Sequence, residues 1–136
     1  MRIKLDEGAK MPTRAHAWDA GIDLYAREDQ MIAPNSGKVF DTGVHMEIPR
    51  GMVGFLKSRS GLNVWEDLTN TGVIDADYTG SICVKLYNHG SKLRYIKAGE
   101  RIAQIVILPC HFPVLELVDE LEDTERGVNG FGSSGR

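Results

Sequence analysis

Five short stretches hold side chains that together could bind a polyphosphate and activate a water beside it. Asp75 and Tyr78 sit in Gly72-Val73-Ile74-Asp75-Ala76-Asp77-Tyr78-Thr79-Gly80, where the spacing predicts a hairpin. Its terminal glycines would allow positive φ and let a ligand lie against main chain. Ser58-Arg59-Ser60-Gly61 combines a forked cation, hydroxyls and backbone N–H groups where a helix is expected to start, the usual ingredients of an anion site. The tail repeats that chemistry with Arg126 and Gly132-Ser133-Ser134-Gly135, and two anion-binding elements suggest a polyphosphate. Phe131, alone among glycines, has the character to stack on a base. Asp23, in a strand between Ile22 and Leu24, offers a carboxylate pointing away from its apolar neighbours. Gln104 is an amide in an otherwise apolar strand and needs a bonded partner. Taken singly, each has a plain structural explanation: a solvated carboxylate, a helix cap, a polar tail.

The elements expected to position these groups are mostly strands. Residues 2–5 alternate and form a short strand that must find a partner from elsewhere, and residues 10–18 form an extended connection. Lys38 to Phe40 is a strand. So is the run in which Val44, Met46 and Ile48 share one face with His45 and Glu47 opposite, stopped by Pro49-Arg50-Gly51. Met52 to Ser58 delivers the chain to a single short helix, with Ser60 as its N-cap and Leu62, Trp65 and Leu68 as its stripe. Ile82, Val84 and Leu86 alternate with Cys83, Lys85 and Tyr87 in a half-buried antiparallel strand. Residues 102–108 are apolar on both faces except at Gln104, as in a strand deep in a sandwich or against another subunit. Val114 to Leu121 supplies one more strand, and Glu122 to Arg136 is rich in glycine and serine. The pattern predicts an all-β, distorted jelly-roll-like barrel or sandwich with one short helix. Residues 1–121 form the core and 122–136 a flexible C-terminal arm.

At 136 residues, with 42% hydrophobic and 26% charged residues, the chain suits one soluble domain. A net charge of −3 argues against nucleic-acid and anionic-membrane partners, which need a basic surface. The start has no apolar leader and no run approaches a membrane span, so a cytoplasmic location is expected. Cys83 and Cys110 sit in apolar runs that favour small buried thiols over a disulfide or a nucleophile. The four histidines show no metal-ligand spacing, and neither a Walker-type phosphate loop nor a dinucleotide fingerprint occurs.

In this order, Ala20-Gly21-Ile22-Asp23-Leu24, Ser58-Arg59-Ser60-Gly61-Leu62, Gly72 to Gly80, Gly99-Glu100-Arg101-Ile102-Ala103-Gln104 and Arg126 to Gly135 resemble the five motifs of the homotrimeric deoxyuridine triphosphatase family. The resemblance spans nearly the whole chain. It implies a jelly-roll trimer that hydrolyses dUTP to dUMP and pyrophosphate, limiting uracil in DNA and supplying dUMP for thymidylate synthesis, at sites shared among subunits. It further implies that Asp75 is the general base and that Gly72, Val73 and Ile74 present backbone to the uracil edge. Tyr78 would exclude a 2′-hydroxyl, while Arg59, Ser60, Gly61 and Gln104 face the phosphates. Asp23 would act through water on a Mg²⁺ held mainly by the triphosphate, and Arg126, Phe131, Gly132 and Ser133 would close over the nucleotide. Ser58, Asn63 and Asn129 depart from the usual residues at their positions, which bears on loop geometry and arm closure alone. Two other outcomes stand beside this one: a dCTP deaminase of the same fold, and a non-enzymatic nucleotide-responsive regulatory module.

Overall fold

Alternating apolar residues and frequent turns give eleven strands and one helix in the computed structural model, which describes residues 1–130. In chain order these are β1 (Ile3–Leu5), β2 (Gly21–Tyr25), β3 (Gln30–Ile32), β4 (Ser36–Asp41), β5 (Val44–Met46), β6 (Met52–Lys57), α1 (Ser60–Glu66), β7 (Leu68–Thr69), β8 (Thr71–Ile74), β9 (Cys83–Asn88), β10 (Arg94–Ile96) and β11 (Arg101–Pro109). All strand pairs are antiparallel, in a four-stranded sheet ordered β2-β11-β6-β8, a three-stranded sheet β4-β9-β7, and the pairs β1-β5 and β10-β3. This is the expected all-β jelly-roll-like architecture.

The core is the inner faces of these layers. Leu24, Ile32, Phe40, Val44, Ile48, Leu86, Ile102 and Ile105 are all but sealed from solvent and belong to one cluster. Burying each such side chain is worth about 1.5–3 kcal/mol. In β9, Val84 and Leu86 are buried while Cys83, Lys85 and Tyr87 face out, as the alternation predicts. β1 finds its partner in β5, with Ile3 opposite Met46. β11 lies between β2 and β6, with Ile102, Ala103 and Ile105 buried while Gln104 and Val106 are half-buried and Leu108 is exposed.

Several expectations need correction. Val114 to Leu121 forms no strand: it has no strand partner among the described residues, and Val114, Leu115 and Leu117 are more than nine-tenths exposed. Gly72 to Gly80 is not a hairpin, because β8 pairs with β6 and β9 pairs with β4 and β7, so the chain changes sheets at Asp75. Neither glycine has positive φ. The requirement at Gly80 is space, since a Cβ there would stand 2.5 Å from the Tyr78 hydroxyl. The helix is capped at Arg59, with no side-chain cap bond, rather than at Ser60. Its expected stripe fails as well: Trp65 is exposed, and Leu68 has already entered β7. What fastens α1 is its far end, where Glu66 and Asp67 oppose the helix dipole and Arg94 of β10 pairs with both. Cys83 is exposed and Cys110 half-buried, because β9 turns Cys83 outward and Cys110 follows the last strand. Both are free thiols, and partial burial followed by the Asp41 carboxylate raises the Cys83 pKa.

Candidate active site

Two open clefts gather many of the candidate residues, each of a size to hold part of a nucleotide. The first, of about 430 Å³, is lined by Gly21, Asp23, Arg59, Ser60 and Gln104 together with Ala15, Asp19, Ala20 and Val106. Its geometry follows from the central sheet. Gln104 of β11 stands opposite Asp23 of β2 on one side and Lys57 of β6 on the other, so β6 hands the chain to Arg59 and Ser60 beside both. Gln104 finds the partner its position demands: Nε2 donates to the Ser58 carbonyl at 3.1 Å.

Asp23 is 7% exposed and is matched by two guanidiniums. Arg59 Nε donates to Oδ1 at 2.9 Å and an Arg101 amino group to Oδ2 at 3.2 Å. Arg101 has no place among the residues expected from the sequence. Strict alternation would put it on the face opposite Gln104, but a bulge between Arg101 and Ala103 breaks the parity and turns it toward Asp23. Ser58 also does more than its departure from a common proline suggests. Its hydroxyl donates to the Asn70 carbonyl at 3.1 Å and accepts from the Asn70 N–H at 2.8 Å, locking the approach to Arg59 against the link between β7 and β8.

Among the described residues no three His, Cys, Asp or Glu side chains are grouped as metal ligands. With both Asp23 oxygens holding guanidiniums, direct coordination is opposed. Each oxygen keeps a second lone pair, so a role toward a hydrated Mg²⁺ through water fits.

The second cleft, of about 810 Å³, contains Asp75, Ala76, Asp77 and Thr79, with Arg2, Glu47, Arg50 and Phe112 around them. Asp75 is exposed at the tip of the turn, and its carbonyl accepts from the Tyr78 N–H at 3.2 Å. The Tyr78 hydroxyl donates to the Ser81 carbonyl at 2.9 Å. Gly72, Val73 and Ile74 form the β8 edge, with Val73 exposed. Gly61 and Ser60 open α1 with free space around the glycine.

The two clefts share no lining residue. Gln104, Lys57 and Thr71 lie in one row across the sheet, and Asp75 comes four residues beyond Thr71. With about 4.8 Å between strands and about 3.3 Å per residue, the Asp75 backbone is about 16 Å from Gln104 and about 20 Å from Asp23. Arg126 is exposed and donates to the Asn129 carbonyl at 3.0 Å, within its own turn. Phe131, Gly132 and Ser133 lie outside the described residues.

Residues 7–135 match the family model described as dUTPase. The chain is 44% identical to the deoxyuridine 5'-triphosphate nucleotidohydrolase of Corynebacterium glutamicum, over 98% of this chain and 93% of that protein. It is 41% identical to the mouse (Mus musculus) protein of the same name, over 98% and 83%. Among solved structures, a variant of the Staphylococcus bacteriophage 80alpha dUTPase with dUpNHpp superposes with a TM-score of 0.87 at 35% identity, covering 99% of this chain and 98% of that one. A variant dUTPase from phage phi11 of S. aureus, whose structure reveals the coordination of a structural Mg(II) ion, gives a TM-score of 0.82 at 31% identity, covering 90% and 98%.

Proposed function

The chain belongs to the dUTPase family, and from that premise we infer that it hydrolyses dUTP to dUMP and pyrophosphate at sites completed between subunits. The observation that carries the shared site is the separation of Asp75 from the cleft of Arg59, Ser60 and Gln104. A general base must reach its proton directly or through one water, and a span of about 16 Å is too long for that. The nearly bare apolar side chains of Val114, Leu115 and Leu117 further support a homotrimer, because such a run favours cover from another chain.

In this reading Asp75 takes a proton from water as the water oxygen bonds to the α-phosphorus. The bond from that phosphorus to the bridging oxygen breaks, and pyrophosphate leaves. Positioned proton transfer of this kind contributes about 10²–10⁴-fold. Arg59, Ser60, the Gly61 N–H and Gln104 of one subunit hold the phosphates against Asp75 of another. Backbone at Gly72, Val73 and Ile74 meets the uracil edge, and Tyr78 fills the space a 2′-hydroxyl would need. Residues 1–121 act as the body and 122–136 as an arm whose Arg126, Phe131, Gly132 and Ser133 cover the nucleotide and exclude bulk water. Mg²⁺ on the triphosphate would neutralise and orient it, with Asp23 holding its water. The cytoplasmic location belongs to the same reading.

Product analysis with dUTP, dCTP and UTP tests it. Pyrophosphate release should be confined to dUTP; ammonia from dCTP would favour the deaminase, and inert binding the regulatory module. Asp75→Asn and Gln104→Ala should each bind dUTP and turn it over poorly, while co-expressing the two chains should recover activity that neither has alone. Equal inactivity of the mixture would refute the shared site.

A further inference from the structure

The turn that carries Asp75 and Tyr78 is fastened on its exit side at Ser81 and the buried Ile82. The Ile82 N–H donates to the Val44 carbonyl at 2.9 Å, its carbonyl accepts from the Thr42 N–H at 3.1 Å and the Thr42 hydroxyl at 2.7 Å, and the Ser81 hydroxyl donates to the Asp41 carboxylate. Nearer the tip, among the described residues, the hydrogen bond from the body of the protein to residues 75–80 is made by one side chain. His45 Nδ1 lies 2.8 Å from the Thr79 carbonyl oxygen. On the other side of the ring, Nε2 is buried with no hydrogen bond of good geometry, and Asp6 Oδ1 stands 3.2 Å away as an ion pair. We propose that His45 is a positioning residue for the catalytic turn: its imidazolium, held between the Thr79 carbonyl and the Asp6 carboxylate, keeps Asp75 and Tyr78 in place and loosens them when it loses its proton.

The chemistry of the two neighbours requires the charged form. A carbonyl and a carboxylate both only accept, and a neutral imidazole has one N–H to give. Whichever nitrogen kept the proton, the other would turn a lone pair toward an oxygen in a half-buried setting where water compensates poorly. Other charges around the ring act on both sides. Lys4 stands directly across from His45 in the β1-β5 register and disfavours the cation. Arg27 lies 3.8 Å from Asp6 and 3.4 Å from Asp41, drawing on both carboxylates. Asp75 and Asp77 ride on the turn itself without coming within ion-pair distance of the ring. On balance the Thr79 carbonyl, then Asp6, raise the His45 pKa above its ordinary value against burial and Lys4. The same contact is the first cause that lowers Asp6. By sign, a raised histidine contributes stability below its unfolded pKa and loses it as pH climbs through the folded one. The turn is therefore best held at mildly acidic pH and slackens as pH rises through the His45 midpoint.

This rests on the dUTPase reading for its effect on rate, so the experiment has a readout without nucleotide. NMR titration of the His45 ring nitrogens and amide exchange at Tyr78 to Ser81 are followed from pH 5 to 9 on the full chain, beside kcat and KM for dUTP. Both ring nitrogens should be protonated at mildly acidic pH with a midpoint above the ordinary histidine value, and exchange at the turn and the fall in kcat as pH rises should share that midpoint. His45→Ala should speed exchange at all pH values and lower kcat about tenfold, since a small misplacement of a reacting group is costly. His45→Asn, which keeps a donor near Nδ1, should recover most of that loss and remove the alkaline limb. If His45→Ala fails to fold, Asp6→Asn serves instead and should move the midpoint down toward the ordinary histidine value. A ring midpoint no higher than the ordinary histidine value, or an alkaline limb and exchange pattern unchanged in these variants, overturns the proposal. If no variant and no parent protein hydrolyses dUTP, the reaction reading falls, and exchange alone decides the role of His45.

Discussion

Replacing Gly21 by alanine tests the phosphate cleft at its tightest point. A Cβ on Gly21 would lie 1.9 Å from Gln104 Oε1, 2.8 Å from its Cδ and 3.1 Å from its Cβ. Gly21 stands opposite Val106 in the register, so the Gln104 amide reaches diagonally across the ladder to cover it. Rotation of the Gln104 side chain clears the two closest atoms, and the Cβ contact asks for a further give of a few tenths of an ångström. Rotation breaks the bond to the Ser58 carbonyl, costing about 0.5–1.5 kcal/mol, and an off-rotamer placement adds about 0.5–1.5 kcal/mol. The stiffer unfolded chain offsets about 0.4–1 kcal/mol. The net is about 1 kcal/mol, or a fall in Tm of about 3–5 °C at fixed protomer concentration. The effect on activity should be larger, because a hydrogen bond to a charged phosphate is worth about 1.5–3 kcal/mol, and kcat/KM should fall about 10–100-fold. The decisive assay is the double-mutant cycle with Gln104→Ala. With the amide gone, Gly21→Ala should be neutral or slightly stabilising. If it costs as much in that background as in the parent, the glycine is not there for Gln104 and the reasoning is wrong.

Removing residues 126–136 should leave Tm within about 2 °C, since the described contact of Arg126 stays within its own turn, yet lower kcat/KM for dUTP by about 100-fold or more if the arm excludes water. Unchanged turnover would take the arm out of the mechanism. Asp41 is held below the usual carboxylate range by the Ser81 hydroxyl and then the Gly43 N–H. Its contribution is therefore present above its unfolded pKa and lost as pH falls through the folded one. Denaturant midpoints between pH 2.5 and 6 should show a drop below about pH 4 that is shallower in Ser81→Ala, and an identical acid slope would deny the contact.

Strands are legible in the sequence where one face is dry and the other wet. β5 and β9 alternate cleanly, and that alternation alone assigns Val44, Met46, Val84 and Leu86 to the core. β11 is legible as a central strand for the opposite reason, because it is apolar on both faces. What escapes depends on parity and partners. The bulge that turns Arg101 onto Asp23 is one extra residue, and alternation is blind to it. Val114 to Leu121 has the composition of a strand, but strand formation also needs a neighbour to pair with, and the described residues supply none. The glycines around Asp75 suggest a hairpin because composition marks a turn without saying which sheet each flank joins. His45 reads as an ordinary outward residue of β5. Its contact with Thr79 spans 34 positions and has no local signature.

The separation of Asp75 from the cleft of Arg59 and Ser60 follows from the antiparallel pairing of β6 with β8. β6 runs toward Arg59 and Ser60, so its last residue, Lys57, lies at the phosphate end, opposite Thr71 at the start of β8. Because β8 is antiparallel, every further residue carries the chain away from that end, and Asp75 emerges beyond Ile74, which sits opposite Gly54. Shortening β8 would bring Asp75 nearer, but it would also remove the edge at Gly72 to Ile74 that the uracil reading needs. Gly72 is itself fitted to that pairing, since a Cβ there would come within 3.1 Å of Leu56. The same ladder thus sets the Arg59 and Ser60 cleft at one end and Asp75 at the other, about 13 Å apart along the strand, with the Gly72 to Ile74 edge between them. On the proposed reading, a neighbouring copy that offered its Arg59 and Ser60 cleft to the turn would resolve the conflict without changing the ladder, and association would be part of the chemistry rather than an addition to it.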